Sequence, residues 1–188
     1  MSCNLYIGLV HYPIYDKTGQ VVATAVTNFD IHDIARCAKT FGLAGFFIIT
    51  PVESQIRLTE RIIRHWVEGT GAVYNPTRKE SLALVRLSRS IDEAQREISD
   101  LWGKPARTVA TGASSYPGSI GFEFFKKLLE DFSTPFFMLF GTGWGLAREV
   151  KDGSDYVLEP ISGRGYNHLS VRSAVAIMLD RLYGSRPT

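Results

Sequence analysis

The sequence predicts an α/β protein with a mainly parallel sheet flanked by helices. Short continuous apolar runs such as AGFFIIT (44–50) and PFFMLFG (135–141) lack polar alternation, as expected of strands covered on both faces. Between such runs lie segments with apolar residues at helical spacing, so strands and helices alternate along the chain. No repeat, low-complexity tract or composition shift marks a linker, and residues 1–188 are expected to form one domain.

NLYIGLVHYPI reads as the first strand and YDKTGQ as the turn after it. In the next helix Asp30 is the expected N-cap, Ile31, Ile34, Ala35 and Ala38 form the buried stripe, and Gly42 closes it. A second helix is expected over 54–68, followed through Gly69 and Gly71 by an irregular stretch. SLALVRLS is then a strand, and SIDEAQREISDLWG a helix capped by Ser90. RTVATGAS and PFFMLFG are strands on either side of the helix GFEFFKKLLEDF, and DYVLEPI is a short strand. A last helix is expected from His168 to Tyr183, stopped by Gly184.

Composition narrows the function classes. With 45% hydrophobic and 21% charged residues the chain is not of a disordered type, and no apolar run reaches the roughly 20 residues of a membrane span. The start MSCNLYIGLVHYP has no basic region or small-residue cleavage site, so no signal peptide is expected. Cys3 and Cys37 cannot form a disulfide framework, and four scattered histidines lack zinc spacing. The expectation is a cytoplasmic, metal-free protein.

Ligands of open parallel sheets bind beyond the carboxyl ends of the strands. Three such ends carry small or turn-forming residues: TGASS (Thr111, Gly112, Ala113 and onward), GTGWG (Gly141, Thr142, Gly143, Trp144, Gly145) and EPISGRGYNHLS. The glycines allow close backbone approach to a ligand, and Trp144 can cover an aromatic ring. GTGWG lacks the Gly-Lys-Ser/Thr ending of a phosphate loop and misses the dinucleotide spacing. Arg164 is the only cation in the three loops, which suits a nucleoside without phosphates. A dinucleotide-binding enzyme is the alternative reading, but too few residues follow Gly141 to complete such a domain.

These stretches resemble the SPOUT class of RNA methyltransferases. FDIHDIARCAKTFG is similar to the class's first motif, with Arg36 on its Arg, Gly42 on its Gly and Asp30 in the place of its Asn. LFGTGWGL falls on the second motif, and LEPISGRGYNHLSVRSAVAIML on the third, where His168, Leu169 and Ser170 hold the Ser-Leu-Asn positions. The resemblance implies a C-terminal deep trefoil knot over about 106–184, S-adenosyl-L-methionine as cofactor, and a homodimer formed with help from the last helix. It implies cofactor contacts at Thr111, Gly112, Ala113, Gly141 to Gly145, Leu158, Pro160, Ile161, Gly163, Asn167, Leu169 and Ser170. It also places Arg36 near the partner's cofactor. The group most similar is a stand-alone one related to the tRNA guanine-N1 methyltransferases. Two departures stand out: GTGWG carries no acid, and Ser170 replaces the third motif's Asn. A catalytically inactive SPOUT domain that binds RNA or a protein therefore stays open as an alternative.

Arg36 remains protonated, so it can orient a phosphate or stabilise developing negative charge but cannot act as an ordinary base. Asp30, His32 and His168 are the candidate proton acceptors, and imidazole suits proton transfer near neutral pH. Glu159 is a candidate for the cofactor's ribose hydroxyls. From Arg57 to Arg89 seven Lys/Arg stand against three Glu. Arg57, Arg61 and Arg64 share one helix face beside Trp66, a pattern that would hold an RNA backbone and stack a base. The expected partner is tRNA or rRNA.

Overall fold

The computed structural model describes residues 3–184. Six strands form one parallel sheet in the order β5-β4-β1-β7-β6-β8. They are β1 (Leu5–Val10), β4 (Gly45–Ile49), β5 (Val85–Ser88), β6 (Arg107–Ala110), β7 (Phe136–Gly141) and β8 (Tyr156–Val157). Pairing of Leu5 with Phe136 and of Tyr6 with Gly45 makes β1 a central strand with parallel neighbours on both sides.

The two-residue period of a strand sorts these apolar runs onto two cores. Leu5, Ile7, Leu9, Phe46, Ile48, Phe136, Met138 and Phe140 belong to one buried cluster. It is covered by α1 (Asn28–Thr40), α6 (Phe122–Leu129) and α8 (Val171–Tyr183), with α2 (Glu53–Val67) and α4 (Pro76–Leu82) at its margin. Tyr6, Val10, Phe47, Ile49, Phe137 and Leu139 form the other, beneath α5 (Ile91–Trp102). Gly8 faces that second core because a side chain there would meet the Phe137 ring at 2.8 Å.

Several local expectations are corrected. The N-cap of α1 is Thr27, whose hydroxyl accepts from the Asp30 amide and donates to the Asp30 carboxylate three residues on. The stretch after Gly69 is two short helices, α3 (Thr70–Tyr74) and α4, and α4 is capped by the Asn75 side chain. Ser81 and Leu82 end α4, so the strand expected from Ser81 begins only at Val85. Residues after β1 form an antiparallel hairpin, β2 (Ile14–Tyr15) with β3 (Val21–Val22). Residues 148–152 form a further short helix, α7. Ser170 caps α8, which leaves His168 and Leu169 in the loop before it. The Ser90 cap of α5 is as expected, as is Gly42 at the end of α1, with φ +70. Among the described residues no helix is long and apolar enough to cross a membrane.

Candidate active site

β6, β7 and β8 end side by side at one edge of the sheet, and the three loops that follow them meet. The middle loop is pinned from behind. The Thr142 amide donates to Val10 O (3.2 Å), the Gly145 amide to Thr142 O (2.9 Å) and the Trp144 amide to Tyr15 O (3.1 Å). Tyr15 returns a bond to Gly145 O at 2.9 Å, so the β2–β3 hairpin backs the glycine loop. Gly143 and Gly145 occupy left-handed conformations, with φ +56 and +100. At Gly141 the constraint is space: an added Cβ would lie 2.8 Å from Gly145 C and against the Leu146 amide nitrogen. Gly141→Ala is therefore expected to lower stability by about 2 kcal/mol, since backbone and not a movable side chain fills the space. Urea unfolding would measure this, and an unchanged midpoint would count against the tight approach.

The first and third loops are joined by Asn167 Nδ2, which donates to Ala113 O at 2.7 Å. The second and third meet through aromatic rings, His168 standing 6.4 Å from Trp144 and 5.4 Å from Tyr166. Trp144 is 65% exposed, so a broad ring face is free to cover a ligand. Leu158 and Ile161 are buried beside the loop ends, whereas Leu169 is exposed. Pro160 is half-buried and Gly163 makes a tight turn against Tyr166 O. Thr111 serves structure, its amide and hydroxyl both donating to Leu139 O. Glu159 Oε1 accepts the Phe122 amide at 3.1 Å, so this carboxylate caps α6.

One cation at these loops lies outside the three stretches. Lys151, on α7, places Nζ 3.3 Å from where a Gly112 side chain would start, and burial lowers its pKa. A half-buried ammonium beside the first loop suits a carboxylate, such as that of an amino-acid moiety. Buried Leu158 and Ile161, the exposed Trp144 ring and this ammonium are residue types that suit a phosphate-free nucleoside bearing an amino acid. A separate cleft of about 520 Å³, lined by Tyr12, Ile91, Gln95, Thr108 and Glu149, contains none of these loop residues.

Asp30 is buried and its oxygens are engaged. Oδ2 accepts from the Thr27 hydroxyl at 2.6 Å and Oδ1 pairs with Arg172 at 3.1 Å. Arg172 also reaches Asp33 at 3.4 Å, which ties α1 to the first turn of α8 next to His168. Arg36 lies six residues further along α1, about 9 Å of helix rise from Asp30. It is exposed and lines a polar pocket of about 260 Å³ with Lys39, Asn75, Thr77, Arg78 and Ser81. His32 is half-buried edge-on to Trp66 (5.5 Å); burial, then Arg78, lower its pKa.

Arg57, Arg61 and Arg64 are exposed along α2, with Arg57 paired to Glu53 at 3.6 Å. Trp66 is covered: Arg78 lies 4.5 Å above its ring, and His32 and His65 stand edge-on to it. It cannot stack a base in this arrangement. Tyr74 on α3, 87% exposed, is the open aromatic nearby in sequence.

Comparison with known proteins adds a family. A profile described as SAM-dependent RNA methyltransferase matches residues 4–184. The chain is 46% identical over 182 residues to a protein of Oleidesulfovibrio alaskensis named tRNA (guanine-N(1)-)-methyltransferase, covering 96% of this chain and 42% of that one. It therefore spans less than half the length of that relative. It is 39% identical over 181 residues to an uncharacterized protein of Aquifex aeolicus, covering 96% of this chain and 88% of the other. Among solved structures, a SpoU methyltransferase from Streptomyces viridochromogenes, in complex with AdoMet, shares the fold with a TM-score of 0.55 at 18% identity, over 97% of this chain and 60% of that one. With a profile match that runs from the first strand to the end of α8, the chain belongs to the SAM-dependent RNA methyltransferase family.

Proposed function

We propose that the protein transfers a methyl group from S-adenosyl-L-methionine to tRNA or rRNA, with guanine N1 of tRNA the first acceptor to test. The observation that carries this reading is the meeting of three backbone loops at the ends of β6, β7 and β8, linked by Asn167 to Ala113 and by His168 to Trp144. The name of the Oleidesulfovibrio relative supports the choice of acceptor. Residues 1–188 then act as one unit in the cytoplasm.

We infer that 106–184 forms the deep trefoil knot. Support comes from strand order, since β7 lies between β1 and β6 although β6 precedes it in sequence. It comes also from the return of residues 161–170 to the first loop before α8 packs on the buried cluster of α1 and α6. A homodimer is part of the same proposal. Arg36 and the three loops occupy different parts of one protomer, and a second copy can bring its own Arg36 to the loops.

Bound at the loops, S-adenosyl-L-methionine supplies an electrophilic methyl on a good leaving group. Trp144, Leu158 and Ile161 would hold the nucleoside, and Lys151 would hold the amino-acid carboxylate. The chain's tasks are to align the acceptor in line with the methyl, exclude water and take one proton. A guanine N1 must lose its proton as the new bond forms. His168, at the mouth of the loops, is assigned as its acceptor because the carboxylate of Asp30 is committed to Thr27 and Arg172. Arg36 would stabilise negative charge on the acceptor ring or hold a flanking phosphate. Arg57, Arg61 and Arg64 would follow the RNA backbone, with Tyr74 exposed to stack.

Calorimetric titration with S-adenosylhomocysteine is expected to give a Kd on the order of micromolar, and absence of binding would sink the reading. Tritiated cofactor should then label bulk tRNA or rRNA. Arg36→Ala is expected to reduce labelling about a hundredfold while leaving cofactor binding intact. Cofactor binding with no label on any RNA would favour the inactive, RNA-binding alternative, consistent with the missing acid in GTGWG.

A further inference from the structure

His11 follows β1 directly and is fully buried, at 0% exposure. Its Nδ1 lies 3.0 Å from the Thr24 hydroxyl, which lies 2.5 Å from the Thr142 hydroxyl, which in turn contacts Val10 O at 3.0 Å. Each threonine carries one proton, and a carbonyl can only accept. Thr142 therefore donates to Val10, Thr24 donates to Thr142, and the remaining donor must be His11 Nδ1–H. With all three contacts taken as hydrogen bonds, proton counting sets the direction of the chain and the Nδ1–H tautomer. Burial lowers the His11 pKa to about 4, against an opposing pull from Asp30, so the ring is neutral near neutral pH. Nε2 then carries a lone pair and has no partner among the described residues.

The three residues come from three segments. His11 follows the first strand, Thr24 lies just past the hairpin, and Thr142 is the second residue of the glycine loop. A backbone bond from the Thr24 amide to His11 O (2.9 Å) closes the ring of contacts. Thr24 Cγ2 also stands 3.4 Å from the Cβ position of Gly143. Loop and hairpin thus share a single hydroxyl chain anchored on one imidazole. We propose that His11, as the Nδ1–H tautomer, is a positioning residue that holds the glycine loop in its ligand-ready shape through Thr24 and Thr142. This rests on the reading of that loop as part of the cofactor site. An already ordered loop loses less conformational freedom on binding, so breaking the chain should weaken the ligand without removing any contact to it.

The test uses the full chain and S-adenosylhomocysteine as probe. In nitrogen NMR of the wild type, His11 is expected to show the Nδ1–H tautomer and no titration between pH 5 and 8. His11→Leu and Thr24→Val, close in size but without the relay's donor, are expected to bind about tenfold more weakly while still unfolding cooperatively. His11→Asn, whose amide N–H can stand near the Nδ1 position, should recover most of the affinity lost in His11→Leu. The double variant His11→Leu/Thr24→Val should be little weaker than either single one, because both break the same chain. An Nε2–H tautomer, a ring that titrates near neutral pH, or full affinity in a folded Thr24→Val protein would each overturn the proposal. If the wild type fails to bind the probe, the cofactor reading falls and His11's role with it. The tautomer then still shows whether the hydroxyl chain exists.

Discussion

Replacing Asp30 by alanine is expected to lower the free energy of unfolding by about 3 kcal/mol. The carboxylate is buried and does three things at once. It accepts the hydroxyl of the N-cap Thr27, neutralises Arg172 at 3.1 Å and joins the first turns of α1 and α8. Removing one partner of a buried pair leaves the other charge uncompensated, which typically costs about 3–5 kcal/mol. Arg172 is about a third exposed and keeps Asp33 at 3.4 Å, which places the effect at the lower end. Asp30→Asn keeps an acceptor for Thr27 but not the charge and should fall between the two. Urea unfolding of both variants measures the difference, and a loss below about 1 kcal/mol would make the pair equivalent to a surface salt bridge. Because α8 begins two residues after Leu169, the same substitution should also loosen the third loop.

Acidification is expected to destabilise the protein well before its carboxylates protonate. In the folded chain His11 titrates at about 4, whereas an unfolded histidine titrates near 6.5. Above 6.5 both states are neutral and stability is complete. As the pH falls from 6.5 toward 4 the unfolded chain takes up a proton that the folded one refuses, so stability declines. At 1.36 kcal/mol per pH unit the loss reaches roughly 3 kcal/mol by pH 4. His32, lowered by burial and by Arg78, acts in the same direction. The depressed carboxylates Asp16, Asp131 and Asp155 contribute only below their ordinary range near 3.8, outside this window. Unfolding free energies at pH 7, 5.5 and 4.5 should trace this slope, and His11→Asn should flatten it. An equal slope in that variant would assign the acid sensitivity elsewhere.

The sheet was legible in the sequence because its strands are buried on both faces. AGFFIIT and PFFMLFG have no reading as amphipathic surface elements, and they proved to be the neighbours of β1 on its two sides. Of the hairpin only the turn YDKTGQ was legible: IY and VV are two-residue strands, too short for any alternation to show. Nor was α7, a five-residue helix without a side-chain cap, and with it Lys151 escaped notice. Asp30 looked like a cap because Thr, Asn and Asp all occur within four residues, and local sequence does not say which one leaves the helical conformation.

At the candidate site the loops were legible from their glycines, and their partners were not. The contact of Asn167 with Ala113 joins residues 54 positions apart, and that of Arg172 with Asp30 joins residues 142 apart. Such pairings depend on strand order, which no local pattern encodes. Trp66 shows the opposite error: an aromatic beside a basic helix face suggested an open stacking platform, but Arg78 from α4 covers it.

The position of β1 also has a consequence for synthesis on the ribosome. Its neighbour β4 is made soon after it, but its other neighbour begins at Phe136. At roughly 5–20 residues per second, one edge of β1 waits on the order of ten seconds or more for its partner. During that interval the nascent chain presents unpaired main-chain groups beside Leu5, Ile7 and Leu9, a template for pairing with another chain. The central place that buries the first strand also makes it the strand that waits longest for its second neighbour.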